Sequence, residues 1–233
     1  MSARFTAEYP IVFPPVRFFQ KAALVNDFLL ADTFPFPKRE KINRYRVIGF
    51  VGCVGLVVPL RRGSKSGAIS DLEVVTEGED WRVKHWRTLA NVYSAAPFFE
   101  YYADELRELL GRAGTSFVNF AAETVRWCAG KLGLTVRFQL LSELVSEITG
   151  DLALLEAAKK LSARAYLMLP DDRDIRDPSL FGRSGVSVEV PRVKPVIYHP
   201  LSDVPCPRVS ILDVLVNEGP EAGEKLRQSV VQA

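Results

Sequence analysis

Cysteine and histidine are scarce in this chain of 233 residues, with three of the first and two of the second. Cys53, Cys128 and Cys206 are odd in number, far apart and without a C-x-x-C pair. That spacing argues against a disulfide frame or a zinc site, and for reduced, mostly buried thiols. Two histidines, His85 and His199, with no acidic cluster placed around them argue against a histidine-rich metal centre. Excess charge is lacking as well: 30 basic against 28 acidic residues leave a net charge of +2, too slight for a field that draws in nucleic acid or an anionic membrane. The longest uncharged run, Val47 to Leu60, is bordered by Arg46 and Arg61, contains three glycines, and is too short and broken to cross a bilayer. Arg4, Glu8 and Arg17 interrupt any apolar core of a signal peptide. These absences lead us to expect a cytoplasmic protein with no membrane span and no nucleic-acid partner.

What is present is an ordinary globular composition, 48% apolar and 25% charged, without a low-complexity tract or clean linker. A single domain over residues 1–233 is the expectation. Ile11 to Phe13, a helix through Phe18 to Leu24, and Phe28 to Leu30 read as a β-α-β start. Asn43 to Phe50 and Val54 to Leu60 read as a hairpin around Gly52 and Cys53, with Ile69 to Val75 extending it as a meander. Helices are expected from Glu79 and Asp80 to the Ala95-Ala96-Pro97 break, from Pro97 onward, and from a Thr115 or Ser116 cap to Gly133. Thr135 to Leu140, a helix at Asp151 to Ser162, Ala165 to Leu169, a short helix near Pro178 and Val186 to Val190 then alternate β-α-β-α-β. The fold class is therefore α/β: a mixed sheet with a parallel β-α-β core, an antiparallel hairpin or meander, and flanking helices.

The densest chemical signal is Trp81 to Tyr102, where Trp81, His85, Trp86, Tyr93, Phe98, Phe99, Tyr101 and Tyr102 gather. At 3.6 residues per turn Trp81, His85, Leu89 and Val92 form one stripe, so neighbours hold His85 in place. Two readings stay open: a core histidine bonded to a carbonyl, which the local pattern favours, or a base beside a ligand. Lys38, Arg39, Lys41, Arg44 and Arg46 form a basic run around Asn43; in an extended chain Arg44 and Arg46 share one face, Asn43 and Tyr45 the other. Such a strand offers guanidinium groups to a phosphate or carboxylate, or simply solvates an edge. Near the C-terminus, Ser210 and Asp213 have capping-box-like spacing, Gly219 and Pro220 mark a helix junction, and Asp213 and Asn217 share a face that caps or orients a ligand. Tyr198-His199-Pro200 reads as extended. Gly49, Gly52 and Gly55 do not match a dinucleotide fingerprint, the 63–67 stretch is no P-loop, and residues 182–185 form no nucleophile elbow.

Several of these pieces, in this order, resemble the WbqC-like family: Val12-Phe13-Pro14-Pro15 with Phe18-Phe19, Lys38 with Asn43-Arg44, and Trp81 through His85-Trp86 to Tyr93. Pro97 to Tyr102, Tyr198-His199, Ser210 to Asp213 and Asn217 to Glu221 continue the likeness over nearly the whole chain. The resemblance directs attention to Lys38, Asn43, Arg44, His85, Tyr198, His199, Ser210, Asp213 and Asn217. Members of that family occur among bacterial surface-polysaccharide and O-antigen genes, and a glycyl-transfer role has been suggested from that setting. Residues and resemblance together lead us to expect transfer of a small acyl or aminoacyl group to an amino sugar or sugar nucleotide, with His85 as base, Asp213 and Asn217 orienting it, and Lys38 and Arg44 holding an anion, all around one shared hollow. The alternative is a non-catalytic binding or scaffold protein that uses the aromatic segment as a platform. The chain departs from the family at the apolar Thr33 to Pro37 stretch and at Pro200, where relatives place polar residues and glutamine. Cofactor and oligomeric state are left unknown by the sequence.

Overall fold

The structure is a computed structural model that describes residues 3–37, 41–50, 52–61, 67–78, 80–145, 148–170, 172 and 177–230. Its first strand is β1 (Arg4–Glu8), followed by helix α1 (Val16–Ala22) and strand β2 (Asp27–Leu30). Ile11 to Phe13, expected as the strand, is instead a buried loop. Pro10, Pro14 and Pro15 surround it and lack the amides a ladder needs, whereas β1 has no proline. The hairpin forms as expected from β3 (Arg44–Gly49) and β4 (Gly52–Val57), antiparallel and in register from Arg44–Val57 to Gly49–Gly52. Its expected third strand does not form: Ile69–Asp71 is a 3-10 turn, and a bridge between Leu60 and Val74 marks where the pairing is made.

Three long helices follow, α2 (Trp81–Val92), α3 (Phe99–Gly111) and α4 (Phe117–Lys131). Asp80 caps α2 by accepting from the Arg82 amide, and Ser116, not Thr115, caps α4 by accepting from the Asn119 amide. Then come β5 (Arg137–Leu140), α5 (Leu141–Leu144), α6 (Gly150–Lys160), β6 (Ala165–Leu167), α7 (Pro178–Arg183), β7 (Ser187–Glu189), α8 (Ile211–Glu218) and α9 (Ala222–Ser229).

The main sheet is parallel throughout, in the order β5-β2-β1-β6-β7. The chain winds one way from β1 through β2 to β5, then returns to the other side of β1 with β6. This makes the gap between β1 and β6 a topological switch point, where the connections leave the carboxyl ends of the strands in opposite directions. Alternation along the strands feeds two cores. Phe28 and Leu30 join Phe18 and Phe19 of α1 on one face, while Leu29, Phe5 and Ala7 join Ala153, Leu154 and Phe181 on the other. The hairpin and α2, α3, α4, α8 and α9 extend the first core. Among the described residues, no helix is long and apolar enough to cross a membrane.

The cysteine expectation fails for two of the three. Cys53 on β4 and Cys206 are joined as a disulfide with Cα atoms 5.3 Å apart, although 153 positions separate them in sequence. Spacing could not show this, because the return of residues 191–209 to the hairpin is a tertiary event. Cys128 is free and buried, as expected.

Candidate functional site

The aromatic helix builds its histidine into the core. His85 is 3% exposed, with ring edges against Tyr45 and Trp81. Its Nδ1 lies 3.0 Å from the Tyr45 hydroxyl and its Nε2 3.2 Å from the Val57 carbonyl oxygen. A carbonyl only accepts, so Nε2 carries the proton and Nδ1 accepts from Tyr45. Desolvation lowers the imidazole pKa to about 4, despite the opposing pull of the Val57 carbonyl. The neutral ring thus has both nitrogens engaged, and it ties α2 to both strands of the hairpin. The rest of the aromatic segment, running on into α3, faces inward as well: Trp81, Tyr93, Phe99 and Tyr102 are buried, whereas Tyr101 is exposed.

Asp213, on the first turn of α8, is fully buried. It accepts from the Ile48 amide at 3.0 Å, from Tyr93 Oη at 3.1 Å and from Tyr198 Oη at 2.8 Å. Burial raises its pKa, and those three donors oppose the rise. The donors come from β3, from the end of α2 and from the segment preceding α8, so one carboxylate joins three elements. Asn217 donates to the Asp213 carbonyl within α8. Ser210 caps α8 by accepting from the Leu212 amide, and Asp213 is spent on the hairpin rather than on a capping box.

The other sequence candidates scatter. Asn43 is buried and donates to the Val58 carbonyl at 2.7 Å, bracing the hairpin. Arg44 is on the exposed face with Arg46, opposite Tyr45, as alternation requires. The His199 side chain is 89% exposed; its backbone amide and Nδ1 both meet Glu218 Oε1, at 2.9 and 3.3 Å. Burial opposes ionisation of Glu218, but the His199 amide and Lys225 outweigh it and hold the carboxyl below its ordinary range. Lys38 lies outside the described residues.

A cleft of about 920 Å³ opens beyond the carboxyl ends of β1 and β2, at the switch point. Ala7 and Glu8 of β1, Ala31 after β2, Arg17, Gln20 and Lys21 of α1, and Asp172 beyond β6 line it. Pro195, Val196, Tyr198, Arg208 and Val209 form a further wall, and Tyr9, Ile11, Phe34 and Leu154 supply apolar surface. Of the sequence candidates among the described residues, Tyr198 lines this cleft; His85, Asp213, Asn43, Arg44, His199, Ser210 and Asn217 do not. Among the described residues, the shared hollow expected for the cationic strand, the imidazole and the late carboxylate is therefore not found. The imidazole and carboxylate are consumed by the packing between helices and hairpin.

At the floor of the cleft is a charged group that sequence reading missed. Lys21 is 1% exposed; its Nζ lies 3.1 Å from the Ala7 carbonyl oxygen, 3.1 Å from Asp172 Oδ2 and 3.7 Å from Glu8 Oε2. Arg17 Nη2 donates to Asp172 Oδ1 at 3.0 Å and to the Pro170 carbonyl. Burial alone would raise the Asp172 pKa. The Lys21 charge, the Leu169 amide and Arg17 outweigh it, leaving the carboxyl below its ordinary range. Arg208 reaches the cleft from a left-handed backbone with φ of 59°, a conformation that costs free energy in a non-glycine residue. A recoverable signal was the charge pattern on α1, Arg17 and Lys21 one helical turn apart beneath Phe18 and Phe19. Without β1 correctly placed, nothing showed that this turn faced a strand end. Among the described residues, no group of three His, Cys, Asp or Glu side chains is placed to hold a metal ion.

Comparison with known proteins agrees with the order of motifs. The chain is 30% identical over 220 residues to the uncharacterised protein Rv1507c of Mycobacterium tuberculosis, covering 90% of this chain and 91% of that protein. No solved structure matches. The model of the WbqC-like protein family matches residues 9–225, from the end of β1 to α9. The chain belongs to the WbqC-like protein family.

Proposed function

We propose that the protein is an enzyme that transfers a small acyl or aminoacyl group, a glycyl group among them, to the amine of an amino sugar or sugar nucleotide in bacterial surface-polysaccharide synthesis. The observation that carries the reading is the cleft at the switch point, which combines apolar walls with Glu8, Arg17, Lys21, Asp172 and Arg208. In the reaction the acceptor amine attacks the acyl carbonyl, a C–N bond forms, the bond to the donor's leaving group breaks, and the amine loses a proton. Glu8, at the carboxyl end of β1, takes the role of proton acceptor, for which the enclosed His85 has no nitrogen to spare. Arg17 and Arg208 attract the anionic part of the donor or sugar nucleotide. Tyr198 stays in the site as a wall residue held by Asp213.

The scaffold alternative relied on an outward aromatic platform. The inward packing of Trp81, Tyr93, Phe99 and Tyr102 removes that support. The test is incubation of the full chain with acyl and aminoacyl donors and amino-sugar acceptors, with products read by mass spectrometry. The expected product carries one added acyl group, and Glu8→Gln lowers its rate by about 100-fold or more while the variant stays folded. No acylated product across the panel, or full turnover by Glu8→Gln, would overturn the reading.

A further inference from the structure

The wall of the cleft that precedes α8 is tied to the body at separate points. Near its start Lys194 donates its amide to the Ser229 carbonyl and accepts at its own carbonyl from Gln20. Tyr198 then bonds Asp213, and the His199 amide bonds Glu218. At the far end the Pro207 carbonyl accepts from Arg46, and the Ser210 amide donates to the Arg46 carbonyl. Between His199 and Pro207 the covalent tie is Cys206 to Cys53. Cys206 is two residues from Arg208, whose strained backbone places it in the cleft. Cys53 sits on the exposed side of β4, and Cys206 is half-buried, so a thiol in solution reaches the bridge while Cys128 stays enclosed.

We propose that Cys53–Cys206 is a thiol–disulfide exchange site, and that its oxidation state sets whether the Tyr198 to Val209 wall of the cleft is held closed against the hairpin. The co-reactant is a dithiol, free or on a protein. Its first thiolate attacks Cys53 Sγ, forming a mixed disulfide and releasing Cys206 as a thiolate that takes a proton. Its second thiol displaces Cys53, so the dithiol is oxidised to a disulfide and the protein gains two thiols. Loss of the tether leaves the wall on its hydrogen bonds and the packing of Val196, Tyr198 and Leu201, and Arg208 loses one of the ties on its N-terminal side. The inference depends on the cleft wall and not on the chemistry performed within it.

The test compares hydrogen exchange of the full chain before and after treatment with dithiothreitol, with thiols counted by alkylation under native conditions. Alkylation is expected at neither Cys53 nor Cys206 before reduction and at both after it. Exchange across residues 198–210 is expected to rise by about 10-fold or more on reduction, with β1, β2 and β6 unchanged. Cys53→Ser and Cys206→Ser are expected to reproduce the reduced pattern without reductant. Alkylation of both cysteines in the untreated protein, or equal exchange of the wall in both states, would overturn the proposal. So would acceleration throughout the sheet, which would make the bridge a support of the whole fold.

Discussion

Tyr198 donates its hydroxyl to Asp213 Oδ2 at 2.8 Å, joining a side chain that lines the cleft to a carboxylate with no exposure to solvent. The other oxygen, Oδ1, takes the Ile48 amide and Tyr93 Oη. The wall of the cleft, the hairpin and the end of α2 therefore share one buried acceptor. Burial and the adjacent negative charge raise the Tyr198 pKa, so its proton stays on the phenol and the bond keeps its direction.

Tyr198→Phe removes the donor and leaves Oδ2 buried without it. The expected loss is about 1–3 kcal/mol, the cost of an unsatisfied buried polar atom, measured by urea unfolding. A loss well under 1 kcal/mol would show that the carboxylate does not depend on Tyr198.

His85 gives a pH signature with a definite sign. Its folded pKa of about 4 lies below the ordinary 6.5, so between these values the unfolded chain binds the proton that the folded chain refuses. Stability from this group is complete above pH 6.5 and falls as pH drops toward 4, by about 3 kcal/mol in all at 1.36 kcal/mol per pH unit. His85→Gln removes the titration while keeping an acceptor for Tyr45. The difference in unfolding free energy between wild type and variant should shrink by about that amount from pH 7 to pH 4. A difference independent of pH would mean that the folded ring titrates as it does in the unfolded chain.

Local patterns showed the helices and the hairpin because capping and alternation act over a few residues. Asp80, Ser116 and Ser210 each cap the helix that follows, and Arg44, Tyr45 and Arg46 alternate as an extended chain must. The first strand was displaced because apolar content pointed to Ile11–Phe13, whereas β1 carries Thr6, whose hydroxyl is satisfied by the Leu167 carbonyl at 2.5 Å. That bond spans 161 residues and has no local trace. The site followed the same logic. His85 and Asp213 drew attention as chemically capable groups, but partners from distant segments, Val57 and Ile48 among them, enclose them. Lys21 and Asp172 form the cleft floor only because β1 and β6 lie side by side.

Lys21 should be costly to remove. Lys21→Met leaves Asp172 and Glu8 without their buried cation, and breaking such a pair costs about 3–5 kcal/mol. The retained Arg17 bond to Asp172 places the expectation at the lower end of that range. The double variant Lys21→Met, Asp172→Leu should recover part of the loss, because no uncompensated carboxylate remains at position 172. Chemical unfolding of the three proteins tests this, and a double variant less stable than the single one would count against a purely electrostatic account.

Gly223 tests the packing that brings the end of the chain onto the long helix. A Cβ built there would lie 2.2 Å from the backbone oxygen of Leu132, just past the end of α4, a contact that no side-chain rotation relieves. Gly223→Ala must therefore push α9 away from α4, and overpacking of this kind typically costs about 1–3 kcal/mol. The displacement should reach the cleft, because Ser229 of α9 accepts from Gln20 at 2.8 Å and its carbonyl accepts the Lys194 amide at 2.7 Å. Faster hydrogen exchange at Lys194 in the variant, beside an unchanged β2, is the expected result. A stabilised variant would show instead that the two helices have room to separate, so that gained helix propensity outweighs the contact.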